Sequence, residues 1–74
     1  MLEKRSFSLS GHRTSVALEP EFWVALEAIA SRRGQLLLGL VTGLDAGRAP
    51  DQKLASALRV FALHNIDQNS PTPF

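Results

Sequence analysis

A mainly α-helical domain with one short β-strand ahead of its helices, completed by a second copy of itself, is the fold class this sequence predicts. Three observations point there. Residues 13–18, Arg-Thr-Ser-Val-Ala-Leu, place their apolar side chains with the period of a strand. Three later runs repeat apolar residues at three- and four-residue spacing, the period of a helix. Finally, 74 residues without a cysteine make a chain in which one hydrophobic core barely suffices and no disulfide can supplement it.

Ahead of that strand, Ser6, Phe7, Ser8, Leu9 and Ser10 alternate as well, and this run also reads as β. Apolar residues fall on odd numbers in the first run and on even numbers in the second. The buried face therefore switches near Gly11, at a turn or a bulge. In the second run Val16 and Leu18 point to a core, while Arg13, Ser15 and Ala17 point the other way.

Glu19, Pro20 and Glu21 mark the start of the first helix, because proline suits the first helical position and acids suit the positive end of the helix dipole. Phe22, Leu26, Ile29 and Ala30 form its stripe with Trp23 at the flank, and Gly34 after Arg32 and Arg33 stops it. The second helix is expected from Gln35 or Leu36 to about Asp45, with Leu37, Leu40, Val41 and Leu44 in line. Leu36 and Leu38 add apolar surface to its other faces, so it reads as a helix covered on most sides, in a subunit interface. Gly39 and Gly43, four apart, allow another backbone to approach closely. Ala46 to Pro50 breaks this helix. A third is expected from Pro50 or Asp51 to Leu63 or Asn65, with Leu54, Ala55, Leu58, Phe61 and Ala62 on its inner face. The domain is placed at residues 1–66, followed by a polar, proline-containing tail, 67–74, expected to be disordered.

A lone strand followed by helices has no ladder partner within its own chain, and unpaired backbone groups are costly to bury. The expected solution is an intertwined homodimer in which residues 13–18 pair antiparallel with their two-fold mate. Val16, Leu18, Phe22, Trp23, Leu26, Leu37, Leu40, Val41 and Leu44 are its expected core, and Arg13, Ser15 and Ala17 face outward, doubled by symmetry. A two-stranded ribbon of this kind is narrow enough to enter the major groove of B-DNA.

The run G-H-R-T-S-V-A-L-E-P-E-F-W-V-A-L-E-A-I-A-S-R-R-G, Gly11 to Gly34, resembles the ribbon-helix-helix domains of bacterial regulators and antitoxins. It is similar in particular to a compact subfamily with a G-H-R-T-S strand, an E-x-E-F-W helix start and an extra C-terminal helix like L-A-S-A-L-R-V-F; the likeness covers roughly Lys4 to Leu63. The resemblance implies an obligate dimer whose ribbon reads base edges and whose second helix touches phosphate with its N-terminus. It assigns base reading to Arg13, Ser15 and Ala17, and a phosphate clamp to Gln35 and Leu36. Two positions depart from the family pattern. Ala17 offers only an apolar contact, such as a thymine methyl, and Leu36, Leu37 and Leu38 stand where a polar helix cap is usual.

A formal net charge of +1 is too small to mark a nucleic-acid binder, but its distribution is uneven: residues 1–14 hold Lys4, Arg5 and Arg13 against Glu3 alone. Lys4, Arg5 and His12 are thus further candidates for phosphate contact. For Arg13 the alternative to a guanine contact is a surface bond to Glu19 or to solvent. No apolar segment approaches the roughly 20 residues that span a bilayer, and the N-terminus does not read as a signal peptide, so a cytoplasmic location and no membrane partner are expected. No cofactor or metal is expected, since the two histidines have no cluster of ligands about them. Asp45, Asp51 and His64 fall on separate elements, so no enzyme is expected either. The expected function is a dimeric, sequence-specific DNA-binding regulator, a repressor or autoregulator, with double-stranded DNA and a second copy as partners and higher-order assembly left open. The alternative is a dimeric protein-interaction module, antitoxin-like or a scaffold, holding a protein partner on its second or third helix.

Overall fold

The computed structural model describes residues 1–65, and the expected tail lies outside them. The elements run β1 (Glu3–Leu9), β2 (His12–Leu18), α1 (Pro20–Arg32), α2 (Leu37–Gly47) and α3 (Leu54–Asn65). Both strands alternate side chains, and they pair antiparallel from Glu3 opposite Leu18 to Leu9 opposite His12. Ser10 and Gly11 join them with φ of 52° and 81°, the doubly positive signature of a type I′ hairpin turn, whose twist matches that of the strands. A two-residue loop sets every odd residue of β1 opposite an even residue of β2. That alone explains the switch in apolar numbering, and no bulge is needed.

The two-stranded antiparallel ribbon is therefore present, but both of its strands come from one chain. This corrects the expectation that residues 13–18 lack a partner in their own polypeptide. β1 begins at Glu3, three residues before the alternation becomes visible, and so is long enough to pair with the whole of β2. Within the described residues the sheet has two strands, and each keeps one edge unpaired.

Pro20 and Glu21 open α1 as expected, and its C-terminus closes in a left-handed glycine cap. Gly34 has φ of 69°, the Gly34 N–H donates to the Ser31 carbonyl at 3.0 Å and the Gln35 N–H to Ala30 at 2.9 Å. Trp23 and Phe22 exchange the places expected of them. Trp23 is 1% exposed, 5.9 Å from Phe7 between ring centroids, and donates its indole N–H to the Glu3 carbonyl at 2.8 Å. That bond is what lets an indole be buried without leaving a donor unsatisfied. Phe22 is half-buried under Arg59, which also bonds Glu19 at 3.0 Å and so ties α3 to the start of α1.

α2 buries Leu40 and Val41 and half-buries Leu37 and Leu44. α3 begins at Leu54, later than expected, because Ala49, Pro50, Asp51 and Gln52 form a separate turn closed by the Gln52 N–H on the Ala49 carbonyl at 3.0 Å. Arg48 braces that turn through Asp45 at 2.9 Å and the Gln52 carbonyl at 2.6 Å. The core runs from Phe7, Leu9, Val16 and Leu18 of the hairpin through Trp23, Leu26, Ile29 and Ala30 to Leu40, Val41, Leu54, Leu58 and Ala62. Of the residues expected in a dimer core, Val16, Leu18, Trp23, Leu26, Leu40 and Val41 are already covered by their own chain, and Phe22, Leu37 and Leu44 are half-covered.

Candidate nucleic-acid interface

The hairpin register decides which side chains share the face turned away from the helices. Phe7, Leu9, Val16 and Leu18 define the buried side. The opposite side therefore carries three cross-strand pairs: Lys4 with Ala17, Ser6 with Ser15, and Ser8 with Arg13. All six are exposed except Ala17, which is half-buried. The Ser6 and Ser15 hydroxyls lie 3.0 Å apart and bond to each other across the strands. Among the described residues no carboxylate stands on this face.

Arg13, Ser15 and Ala17 are thus on one outward surface, and Lys4 joins them. Ser6 and Ser8 were not singled out from the sequence. The signal was there in the polar even-numbered positions of the first run, and it acquires meaning only with the register. Among the described residues neither Arg13 nor Lys4 has an ion-pair partner. Glu19, the surface partner weighed for Arg13, is held by Arg59 instead. A hydrogen bond from its own backbone N–H, and then the Arg59 guanidinium, hold the Glu19 carboxyl below the ordinary carboxylate range.

Arg5 lies elsewhere. It stands opposite Val16, on the helix side of the ribbon. Its guanidinium bonds Glu3 and Glu27, each at 2.9 Å, and lies 4.9 Å above the Trp23 ring. These two carboxylates raise its already high pKa. Arg5 fastens the hairpin to α1, where the expectation had it reaching for phosphate. His12 is exposed at the first position of β2, beside the turn.

Gln35 and Leu36 are both exposed just ahead of α2. The Gln35 N–H is consumed by the Ala30 carbonyl, so of its donor groups only the side-chain amide remains for an anionic ligand. Leu36 is the N-cap residue, extended at φ −77° and ψ 155°, and no side chain caps the first-turn amides behind it. The outward side of α2 carries Leu38, Gly39, Thr42, Gly43 and Ala46, none of them charged. A Cβ at Gly43 would meet nothing within 4 Å among the described residues, so no contact among them requires a glycine there. Among the described residues no cluster of three or more metal-ligating side chains forms.

Comparison with known proteins adds a family and a fold relative. The family model described as the ribbon-helix-helix domain matches residues 2–66. A solved structure of an uncharacterized protein from Bordetella pertussis Tohama I is similar, at 36% sequence identity and a TM-score of 0.71, over 85% of this chain and 54% of that one. The chain thus spans about half the length of that relative. No curated protein matches it.

Proposed function

The chain belongs to the ribbon-helix-helix family, and on that premise we propose that it is a sequence-specific DNA-binding regulator of transcription that works as a homodimer. The family supports DNA binding or an antitoxin-like role in general terms, and one observation favours the first. The outward face of the hairpin presents two unpaired cations and three hydroxyls with no carboxylate among them. A two-stranded ribbon fits a major groove about 12 Å wide. In this reading Arg13 bonds the O6 and N7 edge of a guanine, Ser15 bonds a base edge as donor or acceptor, and Ala17 packs on a thymine methyl. Lys4, His12, the Gln35 side chain and the free amides after Leu36 contact phosphate.

The same groove sets how two copies join. Pairing β2 with its mate through the free edge would make a four-stranded sheet whose outer strands are about 14 Å apart, wider than the groove. The dimer is accordingly assigned to the uncharged outer face of α2, with Leu38, Gly39, Thr42 and Gly43 at its centre. A protein-interaction module is the second reading. It draws support from Val60 and Leu63, both large, apolar and exposed on α3. No helix among the described residues is long and apolar enough to cross a membrane. A DNA-bound role carries with it a cytoplasmic location.

The deciding experiment is binding to mixed-sequence duplex DNA across a salt series. A regulator loses affinity steeply as salt rises, and Arg13→Ala weakens specific binding at least about tenfold. A chain that binds no duplex at low salt is not a regulator of this kind.

A further inference from the structure

Between the second half of α2, the turn that follows it and α3 lies an open cleft of about 300 Å³, at the lower end of the volumes that hold small molecules. We propose that this cleft binds a small carboxylic acid with an apolar body, aromatic or branched. The site is separate from the outward face of the hairpin, and its case stands apart from the DNA-binding reading.

Two chemically different parts make up the cleft. Leu44, Ala57, Val60 and Phe61 form an apolar wall, and none of the four is fully buried by its own chain, so each keeps surface that a ligand can cover. Arg48, Gln52 and His64 form the polar part, and among the described residues that line the cleft none is acidic. Arg33 adds a further positive charge to the same wall, with its guanidinium 5.1 Å over the Phe61 ring. An anionic head joined to an apolar body complements such a surface.

Arg48 is oriented in advance for that head. Its Nε donates to Asp45 at 2.9 Å and its Nη1 to the Gln52 carbonyl at 2.6 Å, which fixes the plane of the guanidinium. Asp45 itself does not line the cleft, and among the described residues Nη2 donates to no acceptor. A ligand carboxylate accepts from Nη2, while the imidazole of His64 and the side-chain amide of Gln52 bring further N–H donors to the same cleft. Glycine supplies the room. A Cβ at Gly43 or at Gly47 would meet nothing within 4 Å among the described residues, and neither has the positive φ that demands glycine. Both line the cleft, and any larger side chain there would take up part of its volume.

The test is an amide chemical-shift titration of the full chain with phenylacetate, indoleacetate and isovalerate at millimolar concentration, each compared with its neutral amide. At least one acid is expected to bind saturably, with shifts centred on Gly47, Arg48, Gln52, Phe61 and His64, and about tenfold or more tightly than its amide. Arg48→Gln is expected to abolish that preference. Because this change also removes the brace of the turn, Gly47→Leu is the second variant: it keeps the guanidinium, fills the cleft and is expected to weaken binding about tenfold or more with an unchanged circular dichroism spectrum. Failure of all three acids to bind, equal affinity for acid and amide, shifts centred elsewhere, or a folded Gly47→Leu variant that binds like wild type overturns the proposal. None of these results bears on whether the chain binds duplex DNA.

Discussion

The indole N–H of Trp23 donates to the backbone carbonyl of Glu3 at 2.8 Å, joining the first residue of the hairpin to the first turns of α1. Arg5 covers the same ring and reaches Glu27 further along α1. Orientation of the ribbon on the helices therefore runs largely through this indole, which both bonds the hairpin and carries Arg5. Trp23→Phe keeps most of the apolar contact and loses the bond, and is expected to cost about 1–2 kcal/mol. Trp23→Ala is expected to cost about 3–5 kcal/mol. Urea unfolding followed by circular dichroism checks both; a Phe variant as stable as wild type would show that the bond contributes nothing net.

Lys4 and Arg5 are neighbours in sequence and opposites in placement. Lys4→Ala is expected to lower the slope of log affinity for DNA against log salt by about one unit. Arg5→Ala leaves that slope alone and instead lowers stability, by about 1 kcal/mol at most, because its ion pairs are substantially solvated. Equal slopes for the two variants would place both on phosphate and contradict the register.

The turn offers a test of the hairpin itself. Gly11 sits at φ 81°, where a side chain costs about 1–2 kcal/mol, so Gly11→Ala should lower the thermal midpoint by several degrees. Ser10, at φ 52°, is the residue that bears strain in the native chain. Ser10→Asn or Ser10→Gly should raise the midpoint, because both tolerate positive φ better. A midpoint that ignores both positions would mean the loop is not this turn.

Glu19 supplies a pH dependence with a definite sign. Its folded pKa lies below the ordinary 4.5, so the stabilisation it brings is present above that value and is lost as pH falls through the lower, folded one. Glu19→Gln removes this part of the acid limb. Unfolding free energy measured between pH 3 and 6 should therefore fall less steeply on acidification in the variant than in wild type. Parallel curves would show that neither the backbone hydrogen bond nor the Arg59 pair of this carboxylate stabilises the fold.

Gly43 separates helix propensity from assembly. Gly43→Ala fills open space and should raise the stability of the single chain by up to about 1 kcal/mol. Gly43→Glu places a charge on the face assigned to the second copy and should shift sedimentation from dimer to monomer with helicity retained. A dimer that survives Gly43→Glu is built on another surface.

Sequence punctuation was enough for α1, where Pro20 and Gly34 stand at its two ends, and for α2 to within two residues. β1 was half hidden. Glu3, Lys4 and Arg5 carry charge on both faces of the strand and look like a solvated arm until the register puts Glu3 and Arg5 on one side, bonded to each other. The apolar stripes of α1 and α2 correctly announced buried faces. Periodicity says that a face is covered without saying by what, which is why residues assigned to a partner, Leu26 and Val41 among them, are buried against their own chain. The outward trio of β2 was legible because alternation needs no partner to be read; its companions Ser6 and Ser8 depended on knowing which strand lay alongside.

Side chains that fill the core and side chains that face the medium are interleaved in the hairpin and point to opposite sides of the sheet. The outward set Lys4, Ser6, Ser8, Arg13 and Ser15 can be rewritten as a block while the buried face keeps Phe7, Leu9, Val16 and Leu18; only the half-buried Ala17 ties the two together. Such a scaffold lets new preferences be grafted, by selection or by an engineer, onto a body that goes on folding as before.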